Sequence, residues 1–285
     1  MNPSGTAAGL GLLSAASWGG SDFVGGMGSR RAPTLLIVAS GHFVSLIVLL
    51  SICLGTHLAL PGRHDLVFSA AGGFEGALSL ALFYRALAMG AMGLTAALTG
   101  LLTALVPVIY SIFHDGLPTP LTAAGLAVGL AAIWLITHSP AANGGETRAA
   151  TPPKALLLGA LAGLGFGAQL IMFKLAAGGA ILWVTTSARA AGVAAMLLVL
   201  LVMPPKAPWR GFWLFGIAAG ALDTLGNLLY IQTTRFDRLD VAAMICSLYP
   251  AVTILLAALV LREWPTRRQF GGMALALIAV ALLSF

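Results

Sequence analysis

The strongest constraint on this chain is a pattern written twice. Five long apolar runs fill residues 7–137, five more fill residues 155–284, and a polar stretch from His138 to Lys154 lies between them. The runs are 7–27, 34–54, 66–88, 92–113, 119–137, 155–176, 180–203, 210–232, 238–260 and 266–284. A helix needs about 20 apolar residues to cross a hydrocarbon core of about 30 Å. Each run is continuous rather than alternating, which predicts helices and not barrel strands. Five is odd, so the second copy enters the bilayer upside down relative to the first. The expected fold is an all-α membrane protein of ten transmembrane helices. They form two inverted five-helix repeats around a central cavity, which is the architecture of a transporter. The division is residues 1–138 for the first repeat, 139–154 for a linker and 155–285 for the second repeat.

Composition agrees with that reading. Only 8% of residues are charged, against roughly 25% in a soluble domain. The connections leave no room for a soluble domain, and the first run lacks a basic n-region and carries Asp22, so it reads as a span rather than a cleaved signal. Cys53 and Cys246 fall in apolar runs of different halves, so neither a disulfide nor a metal site is expected, and no cofactor is implied. The net charge of +6 sits in connections, where anionic lipid headgroups explain it better than nucleic acid.

The halves can be laid over one another. Leu10-Gly11 and Trp18-Gly19 meet Leu158-Gly159 and Phe166-Gly167; Leu82-Phe83 meets Leu229-Tyr230; Pro107 meets Pro250; Gly125 meets Gly271. The offset drifts between 143 and 148 residues, as small insertions would produce. Most of the 35 glycines read as close-packing positions, because helices in lipid associate where small residues let backbones approach. Pro107 and Pro250 each remove a backbone hydrogen bond inside a run. Matched in both halves, they are the expected hinges.

Charge sets an expected orientation. The connections after runs one, five, seven and nine carry Arg30, Arg31, Arg148, Lys154, Lys206, Arg210, Arg262, Arg267 and Arg268. Those after runs two, six and eight carry Arg63, Lys174, Arg235 and Arg238. The positive-inside rule then places both termini outside.

Polar side chains at bilayer depth are costly and mark protein-facing or water-facing positions. Three carboxylates qualify, each with companions on its own helix face. Run one stacks Ser14, Trp18 and Asp22; run three offers Glu75, Ser79 and Phe83; run eight stacks Asp223, Asn227 and Tyr230. Run six contributes Phe166, Gln169 and Phe173, and run four a stripe of Thr95, Thr99 and Thr103. Such faces mix rings with hydrogen-bonding groups, as a small-molecule pocket does. The candidate substrate-binding residues are Trp18, Asp22, Glu75, Ser79, Phe83, Thr99, Phe166, Gln169, Asp223, Asn227 and Tyr230. Competing readings exist for several: carbonyl bonding for the threonines, packing for Trp18 and Phe166, interfacial placement for Asp22 and Glu75. Arg85, Arg189 and Lys174 are either counter-ions for the carboxylates or snorkel to headgroups. Tyr84, Tyr110 and Tyr249 suit an interfacial aromatic belt. His42 in run two is a proton-carrier candidate by chemistry, although a lone histidine bonded to a neighbouring helix is the commoner case.

Several runs together resemble the drug/metabolite transporter superfamily, specifically its ten-helix exporters built from duplicated EamA-type domains. They are Ser17-Trp18-Gly19-Gly20-Ser21, Phe83-Tyr84-Arg85-Ala86-Leu87, Leu248-Tyr249-Pro250, and Leu261-Arg262-Glu263-Trp264-Pro265-Thr266 followed by Gln269-Phe270-Gly271. The first-half counterpart, Asp115-Gly116-Leu117-Pro118-Thr119, departs from the pattern in having no glutamate, which puts a paired role for Glu263 in doubt. Within the superfamily the chain looks most like bacterial aromatic amino acid exporters. That resemblance implies a cavity lined by helices one, three, four, six, eight and nine, export across a bacterial inner membrane, and cytoplasmic termini, against the charge count. It makes Trp18, Phe166 and Tyr230 partners for an aromatic side chain, and Asp223, Asn227 and Gln169 partners for ammonium and carboxylate groups.

The function expected is export of small amphipathic metabolites, amino acids including aromatic ones, by alternating access, with a monomer sufficient. There is no G-x-x-x-x-G-K-[ST] run, so ATP hydrolysis by that route is not expected; if transport is uphill, protons coupled through Asp22, Glu75 or Asp223 are the natural driving ion, and a proton-independent carrier serves equally well where cytoplasmic substrate is in excess. The alternatives are a multidrug or organic-cation exporter of the same fold and, from another class, an intramembrane enzyme using Asp22 and Asp223.

Overall fold

The computed structural model describes residues 3–89, 92–137, 152–205, 211–262, 264 and 266–283. These form eleven helices: α1 (Pro3–Ser29), α2 (Thr34–Gly55), α3 (Arg63–Met89), α4 (Met92–His114), α5 (Pro120–Thr137), α6 (Pro153–Leu175), α7 (Ile181–Val202), α8 (Phe212–Thr233), α9 (Leu239–Cys246), α10 (Tyr249–Leu261) and α11 (Arg267–Leu283). There is no strand among the described residues. Most of the expected linker lies outside the described residues, as do Gly90, Arg148, Lys206, Arg210 and Glu263. Among the described residues, six stretches are long and apolar enough to cross a membrane: Thr34–Gly55, Arg63–Met89, Pro153–Leu175, Ile181–Val202, Phe212–Thr233 and Leu239–Leu261. Large apolar side chains such as Phe113, Leu201, Leu277 and Trp213 stand exposed around the bundle. In water such a surface would be a liability; in hydrocarbon it is the solvated face.

One element differs from the expected ten. The run 238–260 is two helices, α9 and α10, broken at Ser247 and Leu248. Pro250 has no N–H to offer the carbonyl of Cys246, and its ring would clash with that carbonyl in a continuous helix. The chain therefore closes α9 with a tight turn (Leu248 N–H to Ile245 O, 3.2 Å) and restarts with proline in the first turn of α10, where no donor is needed. Pro107 does not do this: α4 runs unbroken through it. Of the two prolines expected as hinges, Pro250 follows a helix break and Pro107 lies within a continuous helix.

The halves interdigitate. α1 packs on α8 and α10, α2 on α7 and α8, α3 on α6 and α7, α4 on α6, and α5 on α11. Exchanging each helix of one half for its counterpart in the other turns α1–α8 into α3–α6, α2–α8 into α3–α7, and α4–α6 into α1 with the α9–α10 pair; each of these packings is present.

The crossings are close because the residues there are small. A Cβ built on Gly220 of α8 would lie 2.4 Å from the Cα of Gly41 on α2, so the two backbones touch. Interhelical bonds to carbonyls accompany the close approach: Ser14 Oγ donates to Gly226 O (2.8 Å), Thr99 Oγ1 to Gly159 O (2.9 Å) and Tyr230 Oη to Leu170 O (2.9 Å). Such bonds and tight contacts hold helices together where no hydrophobic drive exists.

One end of the bundle is tied shut. Loops at that end meet through Trp183 Nε1 on Leu58 O (2.9 Å) and Arg238 Nη2 on Gly116 O (3.1 Å). Lys174, at the end of α6, donates to Thr234 O beyond α8, while Arg235, beyond α8, donates to Ala177 O (2.8 Å) and Gly179 O beyond α6. Each helix thus supplies the cation that caps the other's free carbonyls. Beneath these loops, every residue of α9 is buried.

Candidate functional site

A cavity lies in the middle of the bundle, lined by Trp18 and Asp22 of α1, Leu80 of α3, Thr103 of α4, Phe166, Gln169 and Leu170 of α6, Asp223 and Asn227 of α8, and Tyr249 of α10. These are the segments that the family resemblance implied. Helical spacing explains the arrangement: Trp18 and Asp22, and likewise Asp223 and Asn227, are one turn apart and share a face. Interior glycines make the room. A Cβ on Gly226 would come 2.4 Å from the Trp18 indole, and one on Gly76 would overlap the Gln169 amide at 2.2 Å. The cavity volume is about 30 Å³, room for a water molecule or two.

A chain of polar contacts runs from this cavity across four helices. The indole N–H of Trp18 donates to Asn227 Oδ1 (3.1 Å), and Asn227 Nδ2 lies 3.4 Å from Asp223 Oδ2. That same oxygen pairs with Arg189 Nη1 of α7 at 2.7 Å. Arg189 Nη1 also meets His42 Nε2 of α2 at 3.2 Å, and His42 Nδ1 meets Val38 O at 3.1 Å. An arginine can only donate and a carbonyl can only accept. His42 is therefore the neutral tautomer carrying its proton on Nδ1. It serves as an acceptor that orients Arg189, not as a group opening onto the cavity.

The other carboxylates differ. Asp22 lines the cavity, is 5% exposed, and its Oδ2 has no hydrogen-bond partner among the described residues. Glu75 does not line the cavity. It accepts from Ser79 Oγ (2.6 Å), and the pair occupies the space above Gly165, where a Cβ would fall 1.9 Å from Glu75 Oε1.

Of the residues expected at a site, Trp18, Asp22, Phe166, Gln169, Asp223 and Asn227 come together on the cavity wall. Five stand elsewhere. Phe83 is a buried second layer, edge-on to Phe166 (5.8 Å) and Tyr249 (6.3 Å). Thr99 bonds Thr95 O and Gly159 O, the packing alternative for the threonine stripe. Tyr230 is fully buried, its hydroxyl on Leu170 O and its ring 5.7 Å from Trp18. Glu75 and Ser79 bind one another. Two tyrosines assigned to an interfacial belt are interior: Tyr249 lines the cavity, and Tyr84 bonds Ser21, Oη to Oγ at 2.7 Å. Among the possible counter-ions, Arg189 alone reaches a cavity carboxylate; Arg85 is exposed and Lys174 caps carbonyls.

Sequence reasoning passed over Asp240. It is fully buried at the start of α9, where it accepts from Arg238 Nε and Nη2 (3.2 and 3.1 Å) and from the N–H of Val241 (3.0 Å). Beside it, burial raises the Asp237 carboxyl above its ordinary value, an effect that the N–H of Arg238 partly offsets. Its signal was present as a carboxylate in the first turn of a helix, which the macrodipole favours.

Comparison with known proteins agrees with the membrane reading. Residues 153–285 match the model of the EamA-like transporter family. No curated protein matches the chain. A crystal structure of a protein of 19% identity superposes with a TM-score of 0.71 over 97% of this chain and 95% of that one, a likeness of fold. The second half is thus similar to the EamA-like transporters, and the long apolar helices make the chain a multi-pass membrane protein.

Proposed function

We propose that this chain exports small amphipathic metabolites, aromatic amino acids foremost, across a bacterial inner membrane by alternating access. The observation that carries the reading is the mid-bundle cavity, in which Trp18, Phe166 and Tyr249 stand beside Asp22, Gln169 and Asn227. Rings of that kind suit an aromatic side chain, and the polar groups suit ammonium and carboxylate ends. Space for only a water or two means that a substrate enters by separation of the walls. The packing that maps onto itself when the halves are exchanged supports two inverted repeats rocking about that cavity. The sealed end at α9 against the central void supports a conformer closed on one side.

A second reading, an organic-cation exporter of the same fold, is favoured by the unpartnered Asp22 Oδ2 among aromatic rings. Counterflow of labelled phenylalanine and tryptophan in proteoliposomes separates the two. Exchange that unlabelled amino acids compete supports the first reading, and exchange competed only by lipophilic cations supports the second. Flux unchanged by an imposed pH gradient would end the idea of proton coupling.

A further inference from the structure

We propose that the two aspartates of the cavity have separate roles: Asp22 receives the cationic group of the ligand, while Asp223 is a positioning residue already neutralised by Arg189. The proposal rests on the transporter reading above and names the side chain that sets its charge selectivity.

The cavity wall carries two carboxylates, and the polar chain that runs from it contains one permanent cation. Arg189 Nη1 stands 2.7 Å from Asp223 Oδ2, and both side chains are largely buried. The same carboxylate oxygen faces the Asn227 amide, which in turn takes the Trp18 indole N–H. Asp223 is thus tied from one side by a guanidinium and from the other by the amide that fixes Trp18. A ligand ammonium arriving there would have to displace an ion pair held in low dielectric, where the remaining guanidinium would be left uncompensated. His42 strengthens the hold, since its Nε2 accepts from the same Arg189 nitrogen.

Asp22 Oδ2 has no such partner among the described residues. It is buried although the residue is one turn from Trp18 and on the cavity wall. A buried carboxylate oxygen with no donor is an expense that a protein keeps for a purpose. The rings of Trp18 and Tyr249 line the same space, and their faces favour a cation. The arrangement fits a primary ammonium attached to an aromatic body, hydrogen-bonded to Asp22 and resting on the rings.

The test compares two probes of the same aromatic body, one with a cationic and one with a neutral head group, 2-phenylethylamine and 2-phenylethanol, titrated against the purified full chain in detergent. Wild type is expected to bind the amine about 10- to 100-fold more tightly than the alcohol, the worth of a charge-assisted hydrogen bond. Asp22→Asn, which keeps the shape, should bring that ratio to within about threefold of unity. Asp223→Asn should weaken both probes together and lower thermal stability while leaving the preference for the amine. Should that variant not fold, Arg189→Gln with Asp223→Asn removes both charges and reads the same ratio. A preference that survives Asp22→Asn, or one that disappears with Asp223→Asn, overturns the assignment. Phenylalanine is titrated in parallel: if the amine binds through Asp22 and phenylalanine does not bind, the amino acid reading fails and the assignment stands. If phenylalanine binds and Asp22→Asn leaves its affinity unchanged, the assignment fails and the amino acid reading stands.

Discussion

Arg189 of α7 and Asp223 of α8 form an ion pair of 2.7 Å at the back of the central cavity. Removing one partner of such a pair strands a buried charge, while removing both does not. Arg189→Met is therefore expected to cost about 3–5 kcal/mol, and Arg189→Met with Asp223→Leu much less. Thermal unfolding of the detergent-purified proteins reads the difference. A single variant no less stable than the double would show that the pair does not hold these helices.

Trp18 depends on the absence of a side chain opposite it. Its indole lies where the Cβ of a residue at 226 would be, 2.4 Å away, and its N–H reaches Asn227 on the next residue of α8. Gly226→Ala forces the ring aside and should cost about 1–3 kcal/mol, the usual penalty for overpacking. It should also reduce transport by breaking the bond to Asn227. Gly9→Ala is the control, since a Cβ there meets nothing within 4 Å and alanine is the better helix former. Equal melting temperatures for the two variants would refute the close contact.

Helix positions were readable from sequence because the bilayer fixes a span's length, and an apolar run records that length directly. Even the polar stripes were readable: Trp18 with Asp22 and Asp223 with Asn227 share faces by helical spacing alone. What faces a stripe was not readable. Glu75 and Ser79 look on paper like Asp223 and Asn227, yet the first pair sits over Gly165, with Ser79 bonded to Oε1 and Oε2 unpartnered among the described residues, and the second lines the cavity. The difference lies in how α3 meets α6, a matter of register between helices far apart in sequence. The same reason makes Tyr84 and Tyr249 interior although their positions suit an interfacial belt. An aromatic near the end of a run is an interfacial residue or a core residue according to the tilt and offset of its neighbours. Pro107 and Pro250 carry the same local signal, but only the latter breaks its helix.

Pro250 is expected to be harder to replace than Pro107. Its ring fills the space over Gly100 of α4, where a Cβ would fall 2.6 Å from Pro250 Cγ, and it sets the break between α9 and α10. Pro250→Ala restores a donor and empties that contact, which permits the helix to continue through Ser247 and Leu248. Transport should fall severalfold with little loss of folded protein, because the change alters shape more than stability. Pro107→Ala should leave transport within about twofold of wild type, since α4 is already continuous and gains one backbone bond worth about 1 kcal/mol. Counterflow rates for the two variants, normalised to reconstituted protein, decide the matter. Equal losses would mean that the break has no role of its own.

The reciprocal capping of α6 and α8 is expected to hold one end of the bundle closed. Lys174 bonds Thr234 O and Asp237 O (3.2 Å), and Arg235 bonds Ala177 O and Gly179 O, so opening this end breaks several charge-assisted bonds at once. Each bond from a charged donor is worth roughly 1.5–3 kcal/mol when shielded and less when exposed, as Arg235 is. Losing both cations should raise the open population by at least about tenfold. Cys246 is a native reporter of that motion, being fully buried in α9 beneath the clamp. In a Cys53→Ser background, Lys174→Met with Arg235→Gln should make Cys246 react with a water-soluble maleimide about tenfold faster than in the parent. Each single variant should fall between, since either cation alone still ties one loop to the other helix. Labelling as slow in the double variant as in the parent would mean that packing against α9, and not this exchange of cations, keeps the end shut.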